Sequence, residues 1–323
     1  MEEEWICRDY QDNDLDQVLT LYRQVNSREM TSAHFLWKFK SGPSGKSIIK
    51  LMFDKELLIG FYSSTPFTVQ VKNNPVKAAL SVNTMTHPDY RGKGIFPYLG
   101  KQTYQTCRQK GIKFVYGFPN NNIYESRIKK LDWVGFGKMS ILRKDLDGIK
   151  TLQEFPNIRE IYEFSSEIDS LWEQNMHDYN IVVPRVKEFL NWRFVQHPTV
   201  EYYRYIYADE NNAPAGYVVL KTYNDGTEDV GHIVDMLCMN DRDVIKSLID
   251  FSCNFFFQRR INSISCWMPE HSLYARVLEE EGFSRQEIET FFGVKRLDMK
   301  DTLLTGIENF PGWHLTMADS DVY

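Results

Sequence analysis

The second half of this chain repeats landmarks of the first, in order and at nearly fixed spacing. Phe35-Leu36-Trp37-Lys38-Phe39 is echoed by Phe189-Leu190-Asn191-Trp192-Arg193-Phe194, and Ile59-Gly60-Phe61-Tyr62 by Ala215-Gly216-Tyr217-Val218. Tryptophan to glycine is 23 residues in the first half and 24 in the second. Tyr124 and Trp133 follow Pro119 by 5 and 14 residues, and Tyr274 and Phe283 follow Pro269 by the same two steps. Arg159-Phe164 and Ser166-Gln174 match the opening strand and helix of the first half. A chain built this way is expected to use one fold twice. The expected domains are residues 1–150 and 151–323, joined near Lys150-Pro156, each of ordinary domain length.

Local patterns set the fold class. Leu15, Val18, Leu19, Leu21, Tyr22 and Val25 have helical spacing, with Asp12 or Asp14 available as the cap. Strand-like runs over 47–53, 57–63, 67–71 and 76–85 are split by short turns, as in antiparallel hairpins. After them, strands alternate with single helices, a helix from about Pro97 to Lys110 and another over Ile123-Leu131. The expectation is an α/β (α+β) fold, each domain a mixed, mostly antiparallel central sheet flanked by helices.

Between a strand and a helix lies Thr86-His87-Pro88-Asp89-Tyr90-Arg91-Gly92-Lys93-Gly94-Ile95-Phe96. A glycine-bearing turn entering a helix leaves backbone N–H groups unpaired, and the helix dipole favours negative charge there. Gly92 and Gly94 let the backbone come close to a ligand, and Arg91 and Lys93 add positive charge. The matching segment of the second half, Met239-Asn240-Asp241-Arg242-Asp243-Val244, has no glycine and two carboxylates. Only the first half is expected to hold an anionic cofactor in this way.

Bulk properties narrow the partners. The 323 residues carry a net charge of −6 and no long basic block, which disfavours nucleic-acid binding by phosphate neutralisation. Five scattered cysteines form no paired motif, so neither a disulfide framework nor a metal site is expected, and a reducing, cytoplasmic setting follows. The acidic start has the wrong sign for a signal peptide, and no run of 18 apolar residues exists to span a membrane.

Pro88-Asp89-Tyr90-Arg91-Gly92-Lys93-Gly94-Ile95 resembles the acetyl-CoA-binding motif of the GNAT N-acetyltransferase superfamily. Lys130-Leu131-Asp132-Trp133 falls where that family carries Lys-Leu-Gly-Phe, and Asn121 where it places an asparagine on the cofactor arm. The resemblance covers about residues 4–145, and the second half looks like a degenerate copy that keeps Glu280-Glu281-Gly282-Phe283. It implies acetyl-CoA as co-substrate, with Arg91, Gly92, Lys93, Gly94, Ile95 and Phe96 at the pyrophosphate. Met85, Thr86, Asn121 and Tyr124 would line the arm. The acceptor amine would attack the thioester directly, leaving proton removal and thiolate protonation to the enzyme.

Three positions depart from the family pattern. The last small residue of the motif is Phe96, which could narrow the pocket. Ile128 stands where a tyrosine acid is usual, and Tyr124, one turn earlier, could serve instead, although Tyr274 at the matching place of the second copy makes a packing role equally open. The strand over 79–85 holds no carboxylate, leaving His87, Glu125 or a group of the second copy as base. His87 also reads as a plain turn residue. His232 and Asp235 read as an edge polar pair or as residues facing a cleft. The apolar, aromatic tail from Gly312 to Tyr323 is expected to dock, with the terminal carboxylate a further candidate for the site.

The expected activity is acetyl transfer to a small-molecule amine, an amino sugar or nucleotide-linked amino sugar, by a monomer or homodimer. The alternatives are a tandem-GNAT transferase using aminoacyl-tRNA in cell-wall synthesis and a non-catalytic acyl-CoA-binding sensor.

Overall fold

The computed structural model describes residues 5–26, 29–147, 153–224 and 226–321. Two compact units share the chain. One holds the residues up to Val69, Pro75–Gly137 and Thr290–Glu308; the other holds Gln70–Asn74, Lys138–Glu289 and the chain from Asn309 onward. The chain passes between the units after Val69, Asn74, Gly137, Glu289 and Glu308.

The first unit is built from β1 (Ile6–Asp9), α1 (Leu15–Asn26), α2 (Ser32–Lys40), β2 (Ile48–Asp54), β3 (Leu57–Val71), β4 (Asn74–Thr86), α3 (Ile95–Gln109), β5 (Phe114–Gly117), α4 (Asn121–Leu131) and the start of β6 (Val134–Asp145). β1, β2 and β3 pair antiparallel, β4 and β5 pair parallel, and β5 pairs antiparallel with the last residues of a strand from the far end of the chain, β13 (Ser284–Arg296). The two runs expected over 57–63 and 67–71 are one fifteen-residue strand, and α3 begins two residues earlier than expected. α3 ends at Gln109 with Lys110 as its cap, and Gly111 follows at φ 78°, the left-handed residue that closes many helices. At the entry to α1, the Asp14 carboxylate accepts two hydrogen bonds from Arg8, each 2.6 Å, and one from the Gln11 N–H at 2.7 Å.

The second unit runs through β7 (Ile158–Glu160), α5 (Glu167–Asn175), the two-residue β8 (Ile181–Val182), α6 (Lys187–Phe194), β9 (Tyr203–Ala208), β10 (Pro214–Asn224), β11 (Asp229–Cys238), α7 (Arg242–Gln258), β12 (Ser263–Cys266) and α8 (Leu273–Glu280) into β13. β7, β9, β10 and β11 pair antiparallel, β11 and β12 parallel, and β12 pairs antiparallel with the last residues of β6. With β8 set aside, the order β-α-α-β-β-β-α-β-α-β occurs twice. In each unit, the strand that closes the parallel pair comes from the other half of the sequence.

The repeated glycines are points of close packing. A Cβ on Gly60 of β3 would lie 2.5 Å from Ile95 and 2.8 Å from Leu99 of α3. One on Gly216 of β10 would lie 2.6 Å from Cys238 and 3.2 Å from Leu248 of α7. Each glycine lets a helix seat against the sheet. Around these seats lie the two cores: Ile59, Tyr62, Leu99, Val115 and Trp133 in the first unit, and Val218, Ile233, Leu248, Ile264 and Phe283 in the second. Trp37 and Trp192, the paired tryptophans, are both buried on the helix before the second strand. Among the described residues, no helix is long and apolar enough to cross a membrane.

Candidate acyl-CoA site

The turn between β4 and α3 is held at its base by side chains. The His87 N–H donates to the Ile59 carbonyl (2.9 Å), and the Tyr90 hydroxyl donates to Asp54 Oδ2 (2.6 Å). His87 Nδ1 accepts the N–H of Asp89 at 3.3 Å, capping the short 3-10 turn Pro88–Tyr90. The Arg91 N–H closes that turn on the Pro88 carbonyl (3.3 Å), so Arg91 has its guanidinium rather than its N–H to offer a ligand.

Beyond Arg91 the backbone is bare. Gly92 has φ 79° and Gly94 φ 84°, both left-handed, and a Cβ on either would meet nothing within 4 Å. Gly94 stands at the N-cap of α3, with no side chain capping the helix. The N–H groups of Gly92, Lys93, Gly94, Ile95 and Phe96 have no acceptor among the described residues. Successive left-handed residues leading into a helix N-terminus form an anion-binding nest. Lys93 Nζ sits 4.6 Å from the centre of the Tyr90 ring, keeping a cation beside the nest. Phe96 turns inward, its ring 5.6 Å from that of Tyr62, leaving the nest open.

From the nest, β4 leads toward the sheet. Its parallel pairing with β5 ends at Leu80 opposite Tyr116, while β4 runs on to Thr86. Asn83, at φ 40°, breaks the strand's regular path where it has left its partner. Two parallel strands that part in this way expose backbone groups to an extended ligand arm. Met85 is buried, with the Asn26 amide 3.8 Å from its sulfur, and Thr86 is half-buried. Asn121 opens α4 and is exposed; its neighbour Asn120 caps the helix by accepting the Asn122 N–H.

The three residues considered for proton transfer have different surroundings. The Tyr124 ring stacks on Phe291, centres 3.9 Å apart, and its hydroxyl makes no hydrogen bond among the described residues. That hydroxyl occupies the space a Cβ on Gly135 would need, at 2.5 Å. In the second unit the matching Tyr274 hydroxyl is tied to the backbone of Cys238, accepting its N–H at 2.9 Å and donating to its carbonyl at 3.0 Å. Glu125 is exposed and paired with Lys129 at 2.6 Å, which holds its carboxyl below the usual range. His87 Nδ1 is engaged as the cap of the Pro88–Tyr90 turn.

Sequence reading passed over the cluster beneath the strand fork. Arg127 of α4 is 4% exposed and donates from Nη1 to Ser81 Oγ (2.8 Å) and to the Tyr62 hydroxyl (3.3 Å). Tyr62 shares a 2.5 Å hydrogen bond with Tyr104, which accepts the Trp133 indole N–H at 2.8 Å. Burial pushes the Tyr104 phenol far above its ordinary range, so it stays neutral. The signal was present: Ile123, Arg127 and Leu131 share one helix stripe, placing a cation among core residues.

The second unit meets its own helix start differently. Asp241 caps α7, its carboxylate accepting the N–H groups of Asp243 (2.8 Å) and Val244 (3.3 Å). No bare nest remains there. Instead a cavity of about 320 Å³ opens beyond the last parallel pair, Ile233 opposite Cys266, with Tyr179, Tyr274, Arg276 and His314 in its walls. The His314 ring packs 4.5 Å from that of Tyr179, and burial pushes its pKa down to about 3, so it is neutral near pH 7. Trp313 to Ser320 of the tail are buried; Val322 and Tyr323, and with them the terminal carboxylate, lie outside the described residues. Arg185 holds the tail, bonding Asp319 at 2.7 and 2.9 Å and Thr316 at 3.0 Å while also bonding Asp235. Asp235 and His232 are therefore neither at an edge nor open to a cleft: Asp235 is 0% exposed, and His232 is buried with Nδ1 2.8 Å from Ser265 Oγ.

Residues 7–130 match the family model of the acetyltransferase (GNAT) domain. The chain carries a GNAT acetyltransferase domain. Known structures repeat the fold over nearly the whole length. A GCN5-related N-acetyltransferase from Anabaena variabilis is similar at 13% identity and a TM-score of 0.70, over 91% of this chain and 73% of its own. The N-myristoyltransferase of Saccharomyces cerevisiae, solved with bound myristoyl-CoA, is similar at 13% identity and 0.64, over 92% and 80%. A GCN5-related glucosamine N-acetyltransferase region of a fungal multi-domain β-N-acetylglucosaminidase is similar at 15% identity and 0.62, over 91% and 38%. No curated protein sequence matches the chain. The match over residues 7–130 is to an acyltransferase domain of the GNAT type.

Proposed function

We propose that this GNAT protein transfers an acetyl group from acetyl-CoA to the amine of a small molecule, with an amino sugar as the favoured acceptor. One observation carries the reading: five consecutive backbone N–H groups, Gly92 to Phe96, stand without acceptors among the described residues at the start of α3. They would take the pyrophosphate, flanked by Arg91 and Lys93, while Met85, Thr86, Asn121 and Tyr124 line the arm where β4 parts from β5. The ammonium first gives a proton to water; the amine nitrogen then attacks the thioester carbonyl, the C–S bond breaks, the thiolate takes the Tyr124 hydroxyl proton, and the proton shed by the acylated nitrogen returns through water to Tyr124. Tyr124 is preferred to His87 and Glu125 because its hydroxyl is uncommitted. The two halves are read as tandem copies of one fold, the second having given up its cofactor nest. The likeness to a glucosamine N-acetyltransferase region supports an amino sugar.

Calorimetry with acetyl-CoA tests the first step, and absence of binding refutes the reading. Turnover with a panel of amino sugars tests the second. Tyr124→Phe is expected to lower kcat by about a hundred-fold, within the usual range for losing a general acid, and an unchanged rate removes Tyr124 from the chemistry. Gly135→Ala, which crowds the same hydroxyl without removing it, should lower kcat in the same direction.

A further inference from the structure

Arg127 is a buried cation without a counter-ion. No carboxylate lies within ion-pair distance of it among the described residues, and its hydrogen bonds, both from Nη1, go to neutral hydroxyls. Its Nε is buried with no partner, and Nη2 makes no hydrogen bond among the described residues. Nε–H and Nη2–H form the edge of a guanidinium that grips a carboxylate with two parallel bonds. The rings of Trp133 and Tyr62 lie 4.5 and 5.9 Å from Cζ and support the guanidinium without offering it an acceptor. Burying a charge without compensation is costly, so such an arrangement is expected to have a ligand to complete it.

The location says how that ligand arrives. Ser81, which receives the shorter of the two Nη1 bonds, directly follows Leu80, the last residue of β4 paired with β5. It stands at the mouth of the strand fork that receives the thioester arm in the function proposed above, on which this inference rests. We propose that Arg127 recognises a carboxylate at the far end of the acyl chain. Beside acetyl-CoA, the site would then accept, and bind more tightly, the CoA thioester of a short dicarboxylic acid, malonyl- or succinyl-CoA. The transfer is chemically the same: the amine takes the acyl carbon, the C–S bond breaks, and the acyl group keeps its free carboxylate on the product.

Calorimetry on the full chain with CoA, acetyl-CoA, malonyl-CoA, succinyl-CoA and free succinate tests this. A bidentate charge-assisted pair is expected to make one of the two dicarboxylic thioesters bind roughly ten-fold or more tighter than acetyl-CoA. Arg127→Met should erase that preference while CoA itself binds as before, and Arg127→Lys should keep part of it. Because Met removes an uncompensated buried charge, the Arg127→Met protein should melt no lower than the parent, which separates loss of recognition from loss of folding. CoA binding with no preference for either dicarboxylic thioester overturns this inference alone. So does a preference that survives Arg127→Met, or free succinate binding as tightly as the thioesters. Failure of CoA itself to bind overturns it together with the proposed function.

Discussion

At the start of α3 the backbone is left bare; at the start of α7 it is covered by the chain's own carboxylate. The two helices follow the same strand of the same element order, each seated over a conserved-in-place glycine, Gly60 or Gly216. What differs is a handful of residues. Gly92 and Gly94 take left-handed conformations and turn N–H groups outward, whereas Asp241 folds back onto the N–H groups of Asp243 and Val244. A helix start can be satisfied from within, which stabilises the fold, or left for a ligand, which makes a site. The buried arginines differ in the same sense. Arg185 in the second unit has both Asp235 and Asp319, while Arg127 in the first has neither an acid nor a full set of hydrogen bonds.

The sharpest way to break this contrast is to give the first helix the second one's chemistry. Gly94→Asp places a carboxylate, in a strained left-handed position, where the phosphates would sit. Affinity for acetyl-CoA should fall at least a hundred-fold, about 3 kcal/mol, by calorimetry; retained binding would show that the nest is not the cofactor site. Next in size, Asp319→Ala removes one of the two carboxylates of Arg185 and the acceptor of the Thr316 N–H. A loss of about 3 kcal/mol is expected in urea unfolding, against no loss for Arg127→Met.

Acid should also separate the units. Burial, with Lys221 and Arg143 nearby, holds the His232 pKa down at about 3, and burial with Arg185 does the same for His314, Asp235 opposing. Both rings are neutral when folded and take up protons on unfolding. Their contribution is complete above the unfolded value near 6.5 and is lost as pH falls toward about 3, by up to roughly 1.4 kcal/mol per pH unit for each. Unfolding midpoints from pH 7 to pH 4.5 should fall less steeply in the double variant His232→Gln, His314→Gln. The smallest effect is at the second helix start: Asp241→Ala should cost about 1 kcal/mol through the lost cap without creating CoA affinity. If it did bind CoA, the cap alone would be what closes the second nest.

The bare turn was readable because glycine spacing and charge are local, and local geometry alone makes a nest. The repeat was readable because Gly60, Gly216 and the paired tryptophans answer to packing needs that recur with the fold. Asp235 was read as an edge or cleft residue because its partners Arg185 and Thr316 come from 50 residues before it and 81 after it. Arg127 was passed over for a related reason. Its place on the apolar stripe of α4 was visible, but the hydroxyls that hold it come from β3 and β4. Tyr124 and Tyr274, matched in sequence, proved unlike in structure because one hydroxyl found a backbone partner and the other did not.

The exchanged closing strands bear on how the protein is made. β5 is flanked by β13, so the first unit cannot complete its sheet until residues near 296 have left the ribosome. A fragment cut at residue 150 would carry the whole nest yet present β5 as an uncovered, apolar strand edge, a template for aggregation. Contacts spanning just over 180 residues, Phe114 to Arg296, also imply slow folding. Catalytic fragments of this enzyme should therefore be sought by joining β13 to the first unit, not by trimming the chain at its midpoint.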